Sequence, residues 1–411
     1  SIAKRSSFRA KNISGIRNNN SNNCNSLRVE FKLSKKLMII AGEASGDLHG
    51  ASLITELKRL DPSIEIFGIG GDKMIAAGMN SQFHIKQMAF LGFIEVLKHL
   101  PFISKVRKEL LQKIYDEKID TVVLIDYPGF NLNIAKKLHE LGKHVIYYIS
   151  TQVWAWGKGR IDKIKELVDI MLVVFPFEET MFRKYNMNVK YVGHPLIEHV
   201  EKYLYLSKEE LYSKLGLEKG KEILLLLPGS RKHEIRKIFP ACITAAEKLS
   251  KDFNMQTVVA CAENIDENIF TGLTEEKNFI LVKGNTYDLL KHSHFGIIKS
   301  GTSTLEAGLF QLPFIVVYST NFVTYALGRI LVQIKNIAMA NIILGENVID
   351  ELIQYDVNAE NIYSKSAAVL NNSEKYNSIK QKLGLIKEKL GGQGASKKAA
   401  GLIFARLNEI K

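Results

Sequence analysis

Short apolar segments rich in β-branched residues alternate with helical segments along nearly the whole chain, from Leu37 onward. This alternation is typical of βα units that assemble into a parallel sheet. The predicted strands fall into two series, 37–41, 65–68, 121–125, 144–149, 170–174 and 189–192, then 222–227, 257–260, 279–281, 295–298 and 314–318. The chain is therefore predicted to be an α/β protein.

A break divides the two series of strands. After Gly193-His194-Pro195 comes a charged helical stretch, 198–221, and then the second series begins. The simplest arrangement is two Rossmann-like domains, 37–200 and 201–370, that face each other across a cleft, followed by C-terminal helices over 371–411. Ligands of open α/β sheets bind beyond the carboxyl ends of the strands, so we expect the functional residues in the loops that follow the strands.

The positive charge of the chain is concentrated in one segment. The 411 residues carry a net charge of +13, and residues 1–36 contribute +8 of it, with nine basic side chains against Glu30 alone. Seven asparagines and no apolar periodicity predict that this segment is a disordered basic extension, with an organellar transit peptide as a minor alternative. The remaining +5 is too small to require nucleic acid, but it suits anionic lipid or phosphorylated substrates.

Cysteine content and hydropathy indicate the compartment. Cys24, Cys242 and Cys261 are odd in number and have no C-x-x-C spacing. Neither a disulfide framework nor a zinc site is predicted, and a reducing cytoplasm is expected. No apolar run reaches the roughly 18 residues of a membrane span, so we expect a soluble or peripheral protein.

The first candidate segment is the turn after strand 37–41. Its glycines allow a ligand to approach the backbone closely, and its amide groups can face an anion. A tight strand-to-helix turn with a capping Ser or Asp accounts for the glycines equally well, but it does not account for the clustering of two acids and a histidine. The candidate residues are Gly42, Glu43, Ser45, Gly46, Asp47 and His49.

An acidic residue and a Pro-Gly turn follow strand 121–125. Asp126 lies at the predicted mouth of the cleft, where burial raises a carboxyl pKa toward that of a general base. The alternative is that Asp126 caps the helix that begins near Phe130, and the sequence leaves both interpretations open. Asn131 is a second polar candidate in this segment.

Two loops of the second series contain candidates for holding a phosphorylated ligand. Backbone amides, a hydroxyl and a guanidinium follow strand 222–227, and an arginine can bind a diphosphate through two nitrogens. Hydroxyls and free amides at a helix start follow strand 295–298 and form a predicted phosphate cradle, although an ordinary capping run is compatible with the same residues. The candidates are Gly229, Ser230, Arg231, Ser300, Gly301, Thr302, Ser303 and Glu306.

The stretch 88–108 is too apolar for an ordinary exposed helix. Buried core is the default interpretation. The basic residues Lys105, Arg107 and Lys108 at its end instead favour an interfacial helix, with its apolar side in lipid and its cations on anionic headgroups. The candidate membrane residues are Phe93, Ile94, Leu97, Leu100, Phe102 and Ile103.

Together these segments resemble one family, the lipid-A-disaccharide synthases, which are inverting glycosyltransferases of the GT-B type. The resemblance covers nearly everything from Leu37 to the end of the chain. The motifs that carry it are Ala41-Gly42-Glu43-Ala44-Ser45-Gly46-Asp47, Leu91-Gly92-Phe93-Ile94-Glu95-Val96-Leu97, Ile125-Asp126-Tyr127-Pro128-Gly129-Phe130-Asn131, Val153-Trp154-Ala155-Trp156, Phe175-Pro176-Phe177-Glu178, Val192-Gly193-His194-Pro195-Leu196, Leu227-Pro228-Gly229-Ser230-Arg231 and Ser300-Gly301-Thr302.

The resemblance implies a reaction. It is the transfer of diacylglucosamine from UDP-2,3-diacylglucosamine to the 6-hydroxyl of 2,3-diacylglucosamine 1-phosphate, which forms a β-1,6 disaccharide and UDP without a metal or cofactor. The resemblance also implies a cytoplasmic protein peripheral on the inner face of the inner membrane. In proteins of this family the C-terminal helices cross to the other domain or to a partner subunit. The resemblance therefore also implies that a homodimer is possible.

The resemblance also implies roles for the site residues. Asp126 would be the base or the essential acid near the acceptor, Arg231 would hold the diphosphate, and residues 300–302 with Glu306 would hold the nucleotide. The turn 42–47 would face the reacting sugars. Which of Asp126, Glu43 and His49 takes the acceptor proton stays open.

Three other functions are compatible with parts of the sequence. A UDP-amino-sugar epimerase of the same fold would share the phosphate loop and Glu306, but it would not need the apolar basic stretch 88–108. A nucleic-acid-binding module is disfavoured because most of the excess charge lies in residues 1–36. A dehydrogenase is the weakest alternative, since the chain lacks the G-x-G-x-x-G dinucleotide motif.

Overall fold

The apolar runs of the sequence form two parallel sheets. The structure is a computed structural model that describes residues 35–88, 100–150, 161–275, 278–320 and 336–409. Residues 1–34 of the predicted extension 1–36, together with Phe93, Ile94 and Leu97, lie outside the described residues, and Lys36 begins the first strand. The described residues belong to one compact unit.

Seven strands of the described chain form the first sheet. They are β1 (Lys36–Ala41), β2 (Glu65–Gly70), β3 (Asn80–His84), β4 (Thr121–Ile125), β5 (His144–Tyr148), β6 (Ile170–Val173) and β7 (Val189–Tyr191). Their order across the sheet is β3-β2-β1-β4-β5-β6-β7, and every neighbouring pair is parallel.

Six described strands form the second sheet. They are β8 (Glu222–Leu227), β9 (Met255–Cys261), β10 (Phe279–Lys283), β11 (Phe295–Lys299), β12 (Phe314–Tyr318) and β13 (Glu351–Ile353). Their order is β10-β9-β8-β11-β12-β13, again parallel throughout.

Helices connect the strands and cover both sheets. In the first half they are α1 (Ala44–Leu60), α2 (Asp72–Ala76), α3 (Ile85–Met88), α4 (Leu100–Asp116), α5 (Pro128–Glu140), α6 (Ile161–Leu167), α7 (Pro176–Arg183) and α8 (Leu196–Lys202). The later helices are α9 (Lys208–Leu215), α10 (Lys232–Asp252), α11 (Asn268–Thr271), α12 (Thr286–His292), α13 (Thr302–Leu309), α14 (Met339–Leu344), α15 (Ala359–Leu370), α16 (Ser373–Gly384), α17 (Ile386–Lys389) and α18 (Ala395–Glu409). A 3₁₀ turn spans Gln354–Asp356.

The predicted fold class is confirmed, since the chain forms two Rossmann-like parallel-sheet domains. All eleven predicted strands are present, with ends that differ by at most two residues. Their continuous apolar sequences are explained by burial on both faces, as expected for a parallel sheet covered by helices. The sequence did not predict β3 and β13, which lie at the edges of the two sheets.

The stretch 198–221 differs from the single helical segment that was predicted. Helix α8 ends at Lys202, and α9 begins at Lys208. The hydroxyl of Ser207 accepts a hydrogen bond from the Glu210 backbone amide at 3.1 Å. The Glu210 carboxylate accepts one from the Ser207 backbone amide at 2.8 Å. This reciprocal capping box starts a new helix, so the stretch is two helices with a turn between them.

The last helix returns to the first half of the chain. Helix α18 packs on α1, and the Ser396 amide at its start donates to the buried Glu198 carboxylate at 2.9 Å. Near its end, an Arg406 nitrogen lies 3.0 Å from Nδ1 of His144, which begins β5. The segment that follows the second sheet therefore packs against the first.

Each sheet has one point where the strand order reverses direction. In the first sheet this point lies between β1 and β4, and in the second it lies between β8 and β11. The helices that follow the two strands at such a point leave the sheet toward opposite faces, which opens a crevice at the carboxyl edge. The four loops that border these crevices are the four that the sequence singled out.

The start of α4 is only partly consistent with a lipid-facing surface. Phe102 and Ile103 are half-buried against the core of the first half, and the Phe102 ring lies 6.2 Å from that of Phe83. Leu100 is 49% exposed. Among the described residues, no helix has both the length and the apolar character that a membrane span needs.

Asp47 joins two helices rather than facing the cleft. Although it was predicted as a cleft residue, its carboxylate accepts backbone N–H groups of Gly71, Lys73 and Met74 at 2.7, 3.2 and 3.0 Å. These are amides at the start of α2, which have no partner within that helix. Asp47 is 4% exposed, so the bonds are shielded from water.

We therefore predict that Asp47→Ala destabilises the protein without weakening substrate binding. The change leaves three amides without their acceptor, at a cost on the order of 3 kcal/mol in the free energy of unfolding. Urea unfolding measures this cost, and Asp47→Asn, which keeps one acceptor oxygen, should lose less. Unchanged stability combined with a raised KM would instead assign Asp47 to the cleft.

Candidate active site

A cavity of about 250 Å³ lies between the two halves at the carboxyl edges of the sheets. Its walls come from both halves, so neither half forms it alone. The residues of the first half are Ser45, Gly46, His49, Asp126, Pro128, Ile149, Ser150, Val174, Phe175 and His194, and those of the second are Thr302, Leu305 and Met339. Five residues selected from the sequence are among them: Ser45, Gly46, His49, Asp126 and Thr302.

Asp126 has an unusual backbone conformation at the end of β4. Its φ is +44°, and that of Tyr127 is +48°, although neither residue is glycine. Left-handed conformations of such residues cost about 1 kcal/mol or more each, and they persist only where surrounding contacts hold them. Strain of this kind is concentrated at functional sites.

Two side chains hold the strained turn through its carbonyl groups. The hydroxyl of Tyr147 donates to the Asp126 carbonyl at 2.6 Å. The fully buried Asn131 amide donates to the same carbonyl at 2.7 Å and to that of Ile125 at 3.1 Å. The structure therefore places Asn131 behind the cavity wall, where it fixes the Asp126 backbone.

Gly42 is required by close packing against the same turn. A Cβ atom at Gly42 would lie 2.2 Å from the ring of Tyr127. The Tyr127 hydroxyl donates to the carbonyl of Met88 at 3.0 Å, so the ring is anchored at its far end. Any larger residue at position 42 would therefore have to displace Tyr127, the neighbour of Asp126.

The environment of Asp126 favours its protonated form. Burial and, to a lesser extent, the negative charge of Glu43 together raise the pKa of its carboxyl to about 6, against a backbone hydrogen bond from Tyr127 that lowers it. A carboxyl with this pKa is ionised near neutral pH and is basic enough to accept a proton from a bound hydroxyl. The N-cap interpretation is not supported, because the residue before α5 is Tyr127 and no side-chain cap is formed there.

One ion pair connects the first loop to the second half. The Glu43 carboxylate lies 3.6 Å from the guanidinium of Arg231, and both side chains are partly exposed. Arg231 also lies 3.7 Å from Glu234, which is in the first turn of α10. The loop after β1 and the loop after β8, each at the point where the strand order of its sheet reverses, are thus in direct contact through Glu43 and Arg231.

His49 belongs to a buried histidine cluster. Its ring centre is 6.1 Å from that of His194 and 5.6 Å from that of His199. Burial, followed by the charges of the other two histidines, lowers the pKa of His49 well below its usual range. Burial lowers the pKa of His194 to about 3. His194 is therefore neutral at physiological pH and is a much weaker base than Asp126, and burial favours the neutral form of His49 as well.

Both loops of the second half use glycines with positive φ. Gly229 has φ +119° and Gly301 has φ +152°, a region that other residues rarely adopt. The hydroxyl of Ser300 donates to the carbonyl of Ile337 at 3.0 Å, so it supports the loop. Thr302 begins α13 and lines the cavity, Ser303 follows it in a half-buried position, and Ser230 is exposed.

Glu306 is the second carboxyl in the site with a perturbed pKa. It lies one turn into α13, and burial raises its pKa to about 7. The hydroxyl of Tyr287, on α12, is 3.5 Å from its Oε1 atom. At neutral pH the side chain is therefore populated in both protonation states, so it can donate or accept a hydrogen bond.

In the described part of the chain, no group of three or more His, Cys, Asp or Glu side chains has the spacing of a metal site. The site instead offers a basic carboxylate on the wall from the first half and, in the second half, a helix start that lines the cavity and an arginine 3.6 Å from Glu43. A carboxylate can take a proton from an attacking hydroxyl, and the cation and amides can stabilise a phosphate leaving group. This combination suits group transfer from a phosphorylated donor to a hydroxyl.

A family sequence model and curated relatives both match this chain, and they name the same family. A sequence model described as lipid-A-disaccharide synthetase matches residues 37–405. The lipid-A-disaccharide synthase of Geobacter sulfurreducens is 37% identical over 379 residues, which cover 92% of this chain and 98% of the relative. That of Syntrophus aciditrophicus is 38% identical over 371 residues, covering 89% and 96%.

Solved structures with the same fold are more distant in sequence. An S. aureus MnaA–UDP co-structure aligns with a TM-score of 0.67 at 15% identity, covering 92% of this chain and 98% of that one. A UDP-GlcNAc 2-epimerase from Neisseria meningitidis bound to UDP-GlcNAc aligns with a TM-score of 0.64 at 13% identity, covering 90% and 100%. At this identity the likeness concerns the fold. The resemblance found in the motifs is confirmed by the family match and the curated relatives, and the chain belongs to the lipid-A-disaccharide synthetase family of glycosyltransferases.

Proposed function

We propose that the protein transfers diacylglucosamine from UDP-2,3-diacylglucosamine to the 6-hydroxyl of 2,3-diacylglucosamine 1-phosphate, with release of UDP. The observation that carries the proposal is the pairing of two walls in one cleft. Asp126, with a pKa of about 6, lies on one side. Thr302 at the start of α13 lines the other, and Arg231 of the second half reaches the first through its 3.6 Å contact with Glu43. Membership of the family supports the choice of substrates.

On the acceptor side, Asp126 is the proposed general base. The acceptor oxygen attacks the anomeric carbon of the donor sugar, and the hydroxyl proton passes to the Asp126 carboxylate. Ser45 and Gly46 line the same wall and are the proposed contacts of the acceptor. His49 also lines the cavity, but burial lowers its pKa well below the usual range, so it is a poor proton acceptor and we assign it to substrate packing.

On the donor side, Arg231 is the proposed diphosphate ligand. When the bond between the anomeric carbon and the phosphate oxygen breaks, its electron pair stays on the UDP oxygen, where a guanidinium and helix-start amides stabilise the charge. Gly229, Gly301 and Thr302 would bring backbone amides close to the phosphates. Glu43 pairs with Arg231, so donor binding would have to release the Glu43–Arg231 contact.

Glu306 is the proposed partner of the ribose. Its half-buried carboxyl lies one turn beyond the phosphate loop, and a pKa of about 7 allows it to accept or donate hydrogen bonds to the ribose hydroxyls. Ser300, Ser303 and Ser230 complete the proposed nucleotide segment, the first of them by supporting the loop through its bond to Ile337.

We also propose that the protein acts at the surface of the inner membrane, where lipid substrates of this kind reside. The partly exposed Leu100 begins α4, and the exposed cations Lys105 and Lys108 follow on the same helix. An apolar side chain beside surface cations is suited to anionic headgroups.

An epimerase acting on a UDP-amino sugar is the second candidate. The observation that favours it is the fold likeness to a UDP-GlcNAc 2-epimerase from Neisseria meningitidis, at 13% identity. The two functions differ in one requirement. A transferase releases UDP only when an acceptor is present, whereas an epimerase needs no acceptor.

The test is UDP release by the purified protein in detergent micelles. UDP-2,3-diacylglucosamine is the donor and 2,3-diacylglucosamine 1-phosphate is the acceptor, with acceptor-free reactions as controls. We expect release that depends on the acceptor. Folded protein that releases no UDP but interconverts UDP-amino sugars would overturn the proposal in favour of the epimerase.

Asp126→Asn is predicted to lower turnover at least tenfold, because proton transfer by a positioned base contributes at least this much. In the unaltered protein, kcat/KM should fall below about pH 6 as Asp126 becomes protonated. A pH–rate profile between pH 5 and pH 9 measures both effects. A variant with near-normal rate would exclude Asp126 as the base.

The same variant has a predicted effect on stability. The pKa of Asp126 is raised from 3.8 to about 6 by folding, so ionisation lowers the stability of the unaltered protein as the pH rises through this range. Asp126→Asn should therefore be more stable above pH 6, by up to about 3 kcal/mol, and equally stable below about pH 4. A folded and stabilised variant also establishes that lost turnover is not lost structure.

Arg231→Ala is predicted to lower turnover more than tenfold, because it removes a charge-assisted contact to the leaving diphosphate. Arg231→Lys should be intermediate, since an ammonium keeps the charge but not the two-nitrogen geometry. Steady-state kinetics at varied donor concentration measure the effect. Arg236→Ala, an exposed arginine of α10, is the matched control. Equal rates for both alanine variants would refute the role of Arg231.

Replacing Phe93, Leu97 and Leu100 together by serine is predicted to reduce co-sedimentation with phosphatidylglycerol vesicles more than tenfold, because three large apolar side chains lose their lipid contact. Leu204→Ser is the control, since Leu204 is 92% exposed and lies in the turn after α8. Unchanged vesicle binding contradicts the membrane proposal. Loss of the cooperative melt would identify the three side chains as core.

A further inference from the structure

Lys299 is a cation beside the two proposed phosphate-binding loops, and the reaction above does not use it. It is the last residue of β11, immediately before the loop that contains Ser300 and Gly301. Its ammonium lies 2.7 Å from Oε1 of Glu234, and its side chain is 17% exposed to solvent. The loop after β11 is therefore linked to α10, the helix that follows the Arg231 loop.

Glu234 is shared between two cations. The same Oε1 atom that binds Lys299 lies 3.7 Å from Arg231, and the Glu234 side chain is only 7% exposed. Its second oxygen borders the other loop, because a Cβ atom at Gly229 would lie 2.8 Å from it. A buried carboxylate is stable only beside compensating charges, so Glu234 fixes the positions of both cations.

The Lys299 ammonium also lies beside the start of α13. A Cβ atom at Gly301 would be 3.8 Å from Nζ, so the side chain that glycine lacks would have contacted the ammonium. An ammonium has three N–H donors, and the bond to Glu234 uses one of them. Lys299 is thus placed between the two glycine-containing loops where the donor's phosphates are proposed to bind.

The charges of the cleft give a reason for a second cation. Arg231 and Lys299 are balanced by Glu43 and Glu234. A diphosphate that displaces Glu43 would bind Arg231 next to Glu234. Because the charges of Arg231 and Glu234 cancel, these two residues alone would not attract the diphosphate. The Lys299 charge makes the remaining group positive, and Coulomb attraction to the diphosphate then becomes favourable.

We propose that Lys299 is a second cationic ligand of the donor's diphosphate, and that Glu234 positions it so that its ammonium and the Arg231 guanidinium lie on either side of the leaving group. This inference rests on the proposed donor site and adds a residue pair to it. Lys299 forms and breaks no covalent bond. It stabilises the negative charge that UDP gains when the bond to the anomeric carbon breaks.

The test compares UDP with uridine as ligands of the full chain in detergent. UDP affinity is measured by calorimetry and uridine affinity by ligand-observed NMR, since uridine lacks both phosphates. In Lys299→Met we expect the Kd for UDP to rise at least about tenfold, which is the loss of one charge-assisted contact, while the Kd for uridine stays unchanged.

A double variant distinguishes two roles of Lys299, which are direct contact with the diphosphate and neutralisation of the Glu234 charge alone. Lys299→Met/Glu234→Gln removes both charges, so no buried carboxylate is left uncompensated and the fold is retained, as a thermal melt verifies. If Lys299 contacts the diphosphate, UDP affinity stays at least tenfold weaker in the double variant. If Lys299 only neutralises Glu234, UDP affinity returns to within about twofold of the unaltered protein, and the proposal is overturned.

The control removes a more exposed ion pair, between α9 and the far end of β8. Lys208→Met/Glu222→Gln removes a pair 2.9 Å apart, with Glu222 at the opposite end of β8 from Arg231. UDP affinity should not change in this control. If the unaltered protein binds UDP no more tightly than uridine, the donor site itself is wrong. If it prefers UDP and the Lys299 double variant keeps the ratio of the uridine Kd to the UDP Kd within about twofold of the unaltered protein, only the role of Lys299 is wrong.

Discussion

The reversal of strand order in each sheet is the constraint on which the rest of the site depends. Between β1 and β4, and again between β8 and β11, adjacent parallel strands send their helices to opposite faces. Backbone at these crevices has no neighbouring helix to cover it, so loops with glycines and strained residues can face a ligand. The strain at Asp126 and Tyr127 is held by Tyr147 and Asn131, which are buried behind the cavity wall.

Charge then determines how the two crevices work together. Glu43 raises the pKa of Asp126 on its own side and pairs with Arg231 on the other. A donor that takes Arg231 from Glu43 would leave a second carboxylate beside Asp126 without its cation, which favours a more basic Asp126. In this account, binding of the donor on one wall prepares the base on the other, because both walls share one carboxylate.

The sequence predicted the parts of the fold that burial dictates. Central strands such as β4 and β8 are continuous apolar runs, whereas β3 is polar and half-exposed, and its pairing with β2 is a tertiary effect that local pattern does not reveal. The four site loops could be predicted because they follow strands. The position of Asp47 could not, because the turn of α1 directs it toward α2. The Glu43–Arg231 contact joins residues far apart in sequence, and His194 had only its Gly-His-Pro setting as a signal.

The most direct measurement is a crystal structure of Asp126→Asn with UDP-2,3-diacylglucosamine and 2,3-diacylglucosamine 1-phosphate bound, since this variant should hold both substrates without turning them over. The account predicts that the acceptor 6-hydroxyl lies within about 3 Å of the side chain at position 126. It also predicts that Arg231 contacts the diphosphate and that Glu43 has separated from Arg231. An acceptor hydroxyl directed at His49, or a nucleotide outside the crevice between β8 and β11, would contradict it.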